Sequence, residues 1–241
     1  MDAAPGDKTP NPPYPNSLIN AGEKEVPKDI VIISAGKFAR EIFSFVCDAI
    51  AVGHDDWRIK GFLDSRSDQL DGFNRQASIL SSVEAYEPCE NDLFLCAIGL
   101  PPDRRRYSEI ILRKGGRFAT LIHPTAVLGC NITLGQGVMI APHAVLTSDM
   151  VLGDSVYVGP HSCLSHDSQI GDWCQISGHC TFGGRVTIEE GCFFGMGAIV
   201  VPEVNVGKNA FVGVGSVVLR RVRAGTKVFG NPAVTIEDQS C

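Results

Sequence analysis

The chain has 241 residues, with 21 Lys plus Arg against 27 Asp plus Glu and a formal net charge of −6. Its length allows one large domain or two small ones. The negative balance argues against a nucleic-acid or anionic-membrane binder, which would need a basic face, and no apolar stretch is long enough to span a bilayer.

In chain order, residues 1–28 read as a flexible Pro- and Asn-rich leader without the charged-then-apolar order of a secretory signal. "DIVIIS" (29–34) reads as a buried strand. The next run, "AGKFAREIFSFVCDAIAV", carries Phe38, Ile42, Phe45, Val46 and Ala49 near helical spacing. "WRIKGFLDS" and "NDLFLCAIG" are strand-like. "PPDRRRYSEIILRKGG" opens with prolines that suit a helix start and closes with glycines that suit a stop. Strand–helix alternation over 29–121 predicts a small Rossmann-like α/β unit on a parallel sheet. Its first turn, "SAGKFA", is a degenerate G-x-G-x-x-G with Ser34, Gly36 and Ala39 at the three places. Such a turn is either a diphosphate site at a helix N-terminus or a tight turn without a ligand. Asp64 ends the second strand, where an acid could bind a ribose or a base.

From Ile122 to Phe229 the chain falls into 18 unbroken hexads, and the first position is Ile, Leu, Val or Phe in all but one, Ala224. The second is often Gly. The fifth is small or apolar throughout, and Cys174, Cys180 and Cys192 fall there. A period of six is neither helical nor a plain strand alternation. It suits a chain that turns a corner every six residues, and glycine is expected to ease the corner by tolerating unusual backbone angles. Three sides make an 18-residue coil, so residues 122–229 should form about six coils of a triangular prism, followed by a tail over 230–241. Residues 18 apart should stack roughly 4.8 Å apart. That places His166 on Gly184 and sets His143, His161 and His179 in one column. The nine cysteines include no CxxC pair, which argues against a zinc ribbon. They read as reduced thiols serving as small hydrophobes in a cytoplasmic protein.

The prism pattern resembles the left-handed parallel β-helix of hexapeptide-repeat acyltransferases. With "SAGKFARE", "GFLDS", "AIG", the "IHPTAV" junction, "SHDSQIGD" and the "GNPA" tail, residues 29–235 resemble one sugar acyltransferase family. It includes the bacterial sialic-acid O-acetyltransferases and the UDP-4-amino-sugar N-acetyltransferases. The resemblance implies acetyl-CoA as co-substrate, with no metal, and a nucleotide-linked sugar (UDP, dTDP or GDP) held by the α/β unit of a homotrimer. It puts Gly36, Lys37 and Phe38 at the nucleotide turn. Asp64 and Ser65 fall at the base or ribose, and Gly99 of "AIG" also falls in the substrate set. It makes His166 the general base, Asp167 its neighbour and Gly184 an N–H donor to the thioester. Gln175, Met196 and Val214 would border acetyl-CoA. Gln175 stands where a second His is common, and Ser34 and Lys37 where Gly is usual.

Acetyl transfer to an amine or hydroxyl needs a base, a donor to the developing oxyanion, and two substrates held at attack distance. A neutral imidazole suits the first and the N–H of a glycine the second. A 4-amino sugar is the favoured acceptor, with sialic-acid-type O-acetylation as the alternative. His161 and His166 also make an H-x4-H spacing similar to the zinc histidines of γ-class carbonic anhydrases, with His143 of a neighbour as a third ligand. A trimeric scaffold without catalysis is the third reading. Arg220, Arg221 and Arg223 form either a solvated edge or a contact to the CoA phosphates.

Overall fold

The computed structural model of the protein describes residues 27–54, 56–73 and 77–236. The expected leader lies almost wholly outside the described residues, as does the end of the tail.

The first half is a five-stranded, all-parallel sheet. Its strands are β1 (Lys28–Ile33), β2 (Trp57–Leu63), β3 (Ile79–Ser81), β4 (Asp92–Cys96) and β5 (Arg117–Phe118), in the order 3-2-1-4-5. Two helices intervene, α1 (Lys37–Val52) and α2 (Pro101–Arg113). β3 escapes a reading of the sequence because three residues carry no periodicity. β1 is buried on both faces, which is why it reads as a continuous apolar run. Its Ile30 and Ile32 pack with Ile42, Phe45 and Val46 of α1, while Val31 and Ile33 pack with Phe94 and with Ile111 of α2.

The second half is a parallel β-solenoid with three flat sheets of six, five and eight strands. The register confirms the period. Val158 pairs with Ile176, Leu164 with Phe182 and Ile170 with Ile188, each 18 residues on. First-position residues from Ile140 to Val218 line the core, with fifth-position Cys174, Cys180 and Cys192 buried among them. Each of these thiols reaches a carbonyl one coil on, Cys180 Sγ donating to Gly195 O at 3.3 Å, as Ser162 Oγ does to Ser177 O at 2.9 Å.

Two expectations need correction. The left-handed residue at each corner is the fourth of the hexad, not the second: Asn131, His143, Asp149, Ser155, His161 and so on every six residues. Second-position glycines serve close packing instead. A Cβ on Gly171 would sit 2.7 Å from Glu190 N, and one on Gly195 2.6 Å from Val214 N. The hexad frame also ends early. Val206 bridges Val222 and Val212 pairs with Val228, two residues short of the 18-residue period. Ala224, where the apolar pattern fails, is exposed.

The α/β unit sits on one face of the solenoid, the sheet that carries Leu121, Met139, Tyr157 and Gln175. Leu121, Met139 and Tyr157 share a core with α1. On the other side, Arg104 of α2 is wholly buried and donates from Nη1 to Gln175 Oε1 (2.6 Å) and from Nη2 to Trp173 O (3.0 Å).

Candidate functional site

His166 and Asp167 form one corner of the solenoid, pinned by the coils on either side. The Asp167 N–H donates to Ser148 O (3.2 Å) and the Arg185 N–H to His166 O (2.8 Å). The φ of Asp167, 59°, is the ordinary corner conformation here. His166 Nδ1 lies 2.7 Å from Asp167 Oδ2, and both side chains are about half exposed. An ionised carboxylate can only accept, so Nδ1 is the donor of this pair, and in the neutral ring Nε2 keeps its lone pair. Gly184 stacks beneath, as the period requires. A Cβ there would come within 2.7 Å of Cε1 and Nε2 of His166, so only glycine lets the ring lie where it does. Among the described residues the Gly184 N–H donates to no protein group. The corner therefore presents a base and a free donor side by side.

A second site lies at the C-terminal ends of β1, β2 and β4, a cavity of about 360 Å³. Ser34, Asp64 and Ser65 line it, as the sequence suggests. So do Glu84, Asp103 and Tyr107, which no motif singles out. Asp64 is a clamp. Its Oδ2 accepts from Ala35 N–H (3.0 Å), and its Oδ1 accepts from the N–H (3.0 Å) and Nε (3.1 Å) of Arg66. Burial pushes its carboxyl up, but these donors outweigh that and hold it below the ordinary carboxylate value. Gly36 caps α1 without a side-chain cap, and the first turn holds no acid. That leaves first-turn N–H groups and the helix dipole available to an anion, with exposed Lys37 beside them. Phe38 does not face this turn. Its ring packs edge-on against Tyr157 of the solenoid, centroids 4.9 Å apart, because α1 buries its apolar stripe there. Gly99 follows cavity-lining Ile98 but is not itself part of the lining.

The expected acetyl-CoA residues are not brought together. Met196 and Val214 stack on an exposed corner, 59 % and 69 % accessible. Gln175 is buried under α2 as the acceptor for Arg104. His143, His161 and His179 form the expected exposed ladder, ring centroids 4.9 and 5.0 Å apart, on the corner that carries Met196. His161 and His166 thus sit on different edges. No group of three residues suited to a metal occurs among the described residues, and no helix there is long and apolar enough to cross a membrane. Arg220, Arg221 and Arg223 are exposed.

A family model described as the GMPPB C-terminal domain matches residues 118–213. A search of curated proteins found no match. Among solved structures, the acetyltransferase domain of PglB from Neisseria gonorrhoeae FA1090 is similar, with 26 % identity and a TM-score of 0.78 over 87 % of this chain and 100 % of that one. The same domain has been solved in complex with acetyl coenzyme A, at 26 % identity and a TM-score of 0.77, with 87 % and 100 % coverage. PerB from Caulobacter crescentus, in complex with CoA and GDP-perosamine, matches at 22 % identity and a TM-score of 0.77, covering 87 % of this chain and 97 % of that one.

Proposed function

We propose that this chain, whose architecture is that of the hexapeptide-repeat sugar acetyltransferases, transfers an acetyl group from acetyl-CoA to the amine of a nucleotide-linked 4-amino sugar. The observation that carries the reading is the His166–Asp167 pair over Gly184, on a fold shared with a domain that binds acetyl coenzyme A. In this reading residues 29–121 are a Rossmann-like nucleotide-sugar unit and 122–229 a left-handed β-helix. Their sheet order, 3-2-1-4-5, puts the cavity outside the carboxyl ends of the strands at the switch point between β1 and β4.

The step balances without an acyl-enzyme. His166 Nε2 takes a proton from the acceptor amine as its nitrogen attacks the thioester carbonyl. The Gly184 N–H meets the charge that develops on the carbonyl oxygen. The C–S bond then breaks, and the imidazolium returns its proton to the CoA sulfur. Asp167 holds the ring and stabilises the imidazolium.

In this reading a second copy completes the site. The solenoid corners fall in a fixed order, and the corner of His166 lies between the two faces that the α/β unit does not cover. A nucleotide sugar held in a chain's own cavity is therefore on the wrong side of the prism from its own His166. We assign the site to the interface of a homotrimer, where one chain offers the base and another the cavity. The expected product is an N-acetyl sugar nucleotide. Incubation with acetyl-CoA and a set of nucleotide 4-amino sugars, followed by mass spectrometry, tests this. Acetylation of a hydroxyl in preference to the amine would shift the reading to an O-acetyltransferase, and turnover of neither would remove it.

A further inference from the structure

We infer that the cavity at the ends of β1, β2 and β4 selects a guanine base, with Glu84 and Asp103 as the specificity-determining residues, so that the substrate is a guanosine-diphosphate-linked sugar. The inference rests on the nucleotide-sugar reading above and narrows it.

The cavity has an apolar wall that suits the face of a flat base, formed by Ile33, Leu63, Val83 and Ile98. Its charges are one-sided. Asp64 and Arg66 face it but satisfy each other. Glu84, in the loop after β3, and Asp103, in the first turn of α2, line it and are exposed. Among the described residues neither side chain has a hydrogen-bond or ion-pair partner. Tyr107 follows Asp103 by one helical turn and adds a hydroxyl to the same wall. Two unpaired carboxylates repel a diphosphate, which the uncapped start of α1 and Lys37 attract instead. What enters the acidic part must present donors.

The bases differ in what they offer there. Uracil and thymine present one N–H flanked by two carbonyl oxygens, both of which a carboxylate repels. Adenine and cytosine present an amino group beside a ring nitrogen that only accepts. Guanine alone sets a ring N–H next to an amino group, two parallel donors that match the two oxygens of one carboxylate. Its carbonyl oxygen can then take the hydroxyl of Tyr107 or Ser65, and the remaining carboxylate is free for a ribose hydroxyl.

Calorimetric titration of the full chain with GDP, UDP, dTDP, ADP and CDP tests the assignment, alongside the variants Glu84→Gln and Asp103→Asn. GDP should bind about 10-fold or more tighter than the others. One of the two variants should lose that preference, its GDP affinity falling roughly 10- to 100-fold while its UDP affinity changes little, as expected when charge-assisted hydrogen bonds are lost. UDP or dTDP binding as tightly as GDP, or both variants retaining the preference, overturns the guanine assignment and leaves the nucleotide-sugar reading in place. Failure of every nucleoside diphosphate to bind overturns that reading as well.

Discussion

With Asp167 holding Nδ1, Nε2 of His166 is the atom that can take a proton, and substitutions there should act on rate rather than on fold. His166→Ala removes a half-exposed ring from a corner and opens no core cavity. Its kcat should fall by ~10²- to 10⁴-fold with both substrates saturating, while the thermal midpoint stays close to wild type. Asp167→Asn should cost less, since that residue orients the ring. Gly184→Ala is the sharper test, because the added methyl would occupy the space of Cε1 and Nε2. It should lower kcat towards the level of His166→Ala with the circular dichroism spectrum unchanged; full activity would show that the ring position does not matter. Two carboxyls should mark the acid limit of stability. Hydrogen bonds from Arg58 lower Asp29, and Arg66 with two backbone N–H groups lowers Asp64 against the pull of burial. A depressed folded-state pKa contributes stability above the unfolded value that is lost as pH falls through the folded one. Denaturation midpoints should therefore drop below about pH 4, and less steeply in Asp64→Asn.

At the scale of elements, α2 joins the cavity to the solenoid. Its first turns carry Asp103 and Tyr107 into the cavity wall, and between them Arg104 runs under the helix to Gln175 and Trp173. Burial pushes the guanidinium of Arg104 down to about 10, and among the described residues its Nε finds no partner. Among the described residues no carboxylate pairs with it, so its acceptors Gln175 and Trp173 O carry the compensation. Gln175→Leu should destabilise the protein by about 2–3 kcal/mol in chemical denaturation, the range for a lost hydrogen bond to a buried charge. Adding Arg104→Met should recover much of that, because removing both partners leaves no uncompensated charge. A double variant as unstable as the single one would mean that the contact is incidental. Arg104 and Gln175 are 71 residues apart in the chain, and no local pattern in the sequence announces such a pair. The hexads, by contrast, are legible in detail, because each first-position side chain must fill the same enclosed core. Even the slip of the last coil has a local sign in Ala224.

For the whole molecule, the decisive relation is that His166 and the cavity occupy opposite sides of the solenoid within one chain. Inactive variants should therefore rescue one another. Mixing His166→Ala with Asp64→Ala chains, dissociating them and reassembling them should restore a fraction of wild-type acetylation, since some interfaces then pair an intact histidine with an intact cavity. Sedimentation should report a trimer. An active monomer, or mixed assemblies no more active than their parents, would place both halves of the site in one subunit.

The sequence by itself determined the repeat, the stacking of His166 on Gly184, the exposed histidine ladder and the strand–helix order of the first half. Each of these depends on local periodicity or on residues a fixed 18 apart, which a linear reading can follow. Only the tertiary structure decided which face of the solenoid the α/β unit covers. That choice buried Gln175 and drew Phe38 to Tyr157, while packing within the α/β unit brought Glu84 and Asp103 to the cavity. Those outcomes come from packing between segments far apart in the chain, where many apolar surfaces could pair and shape complementarity selects one.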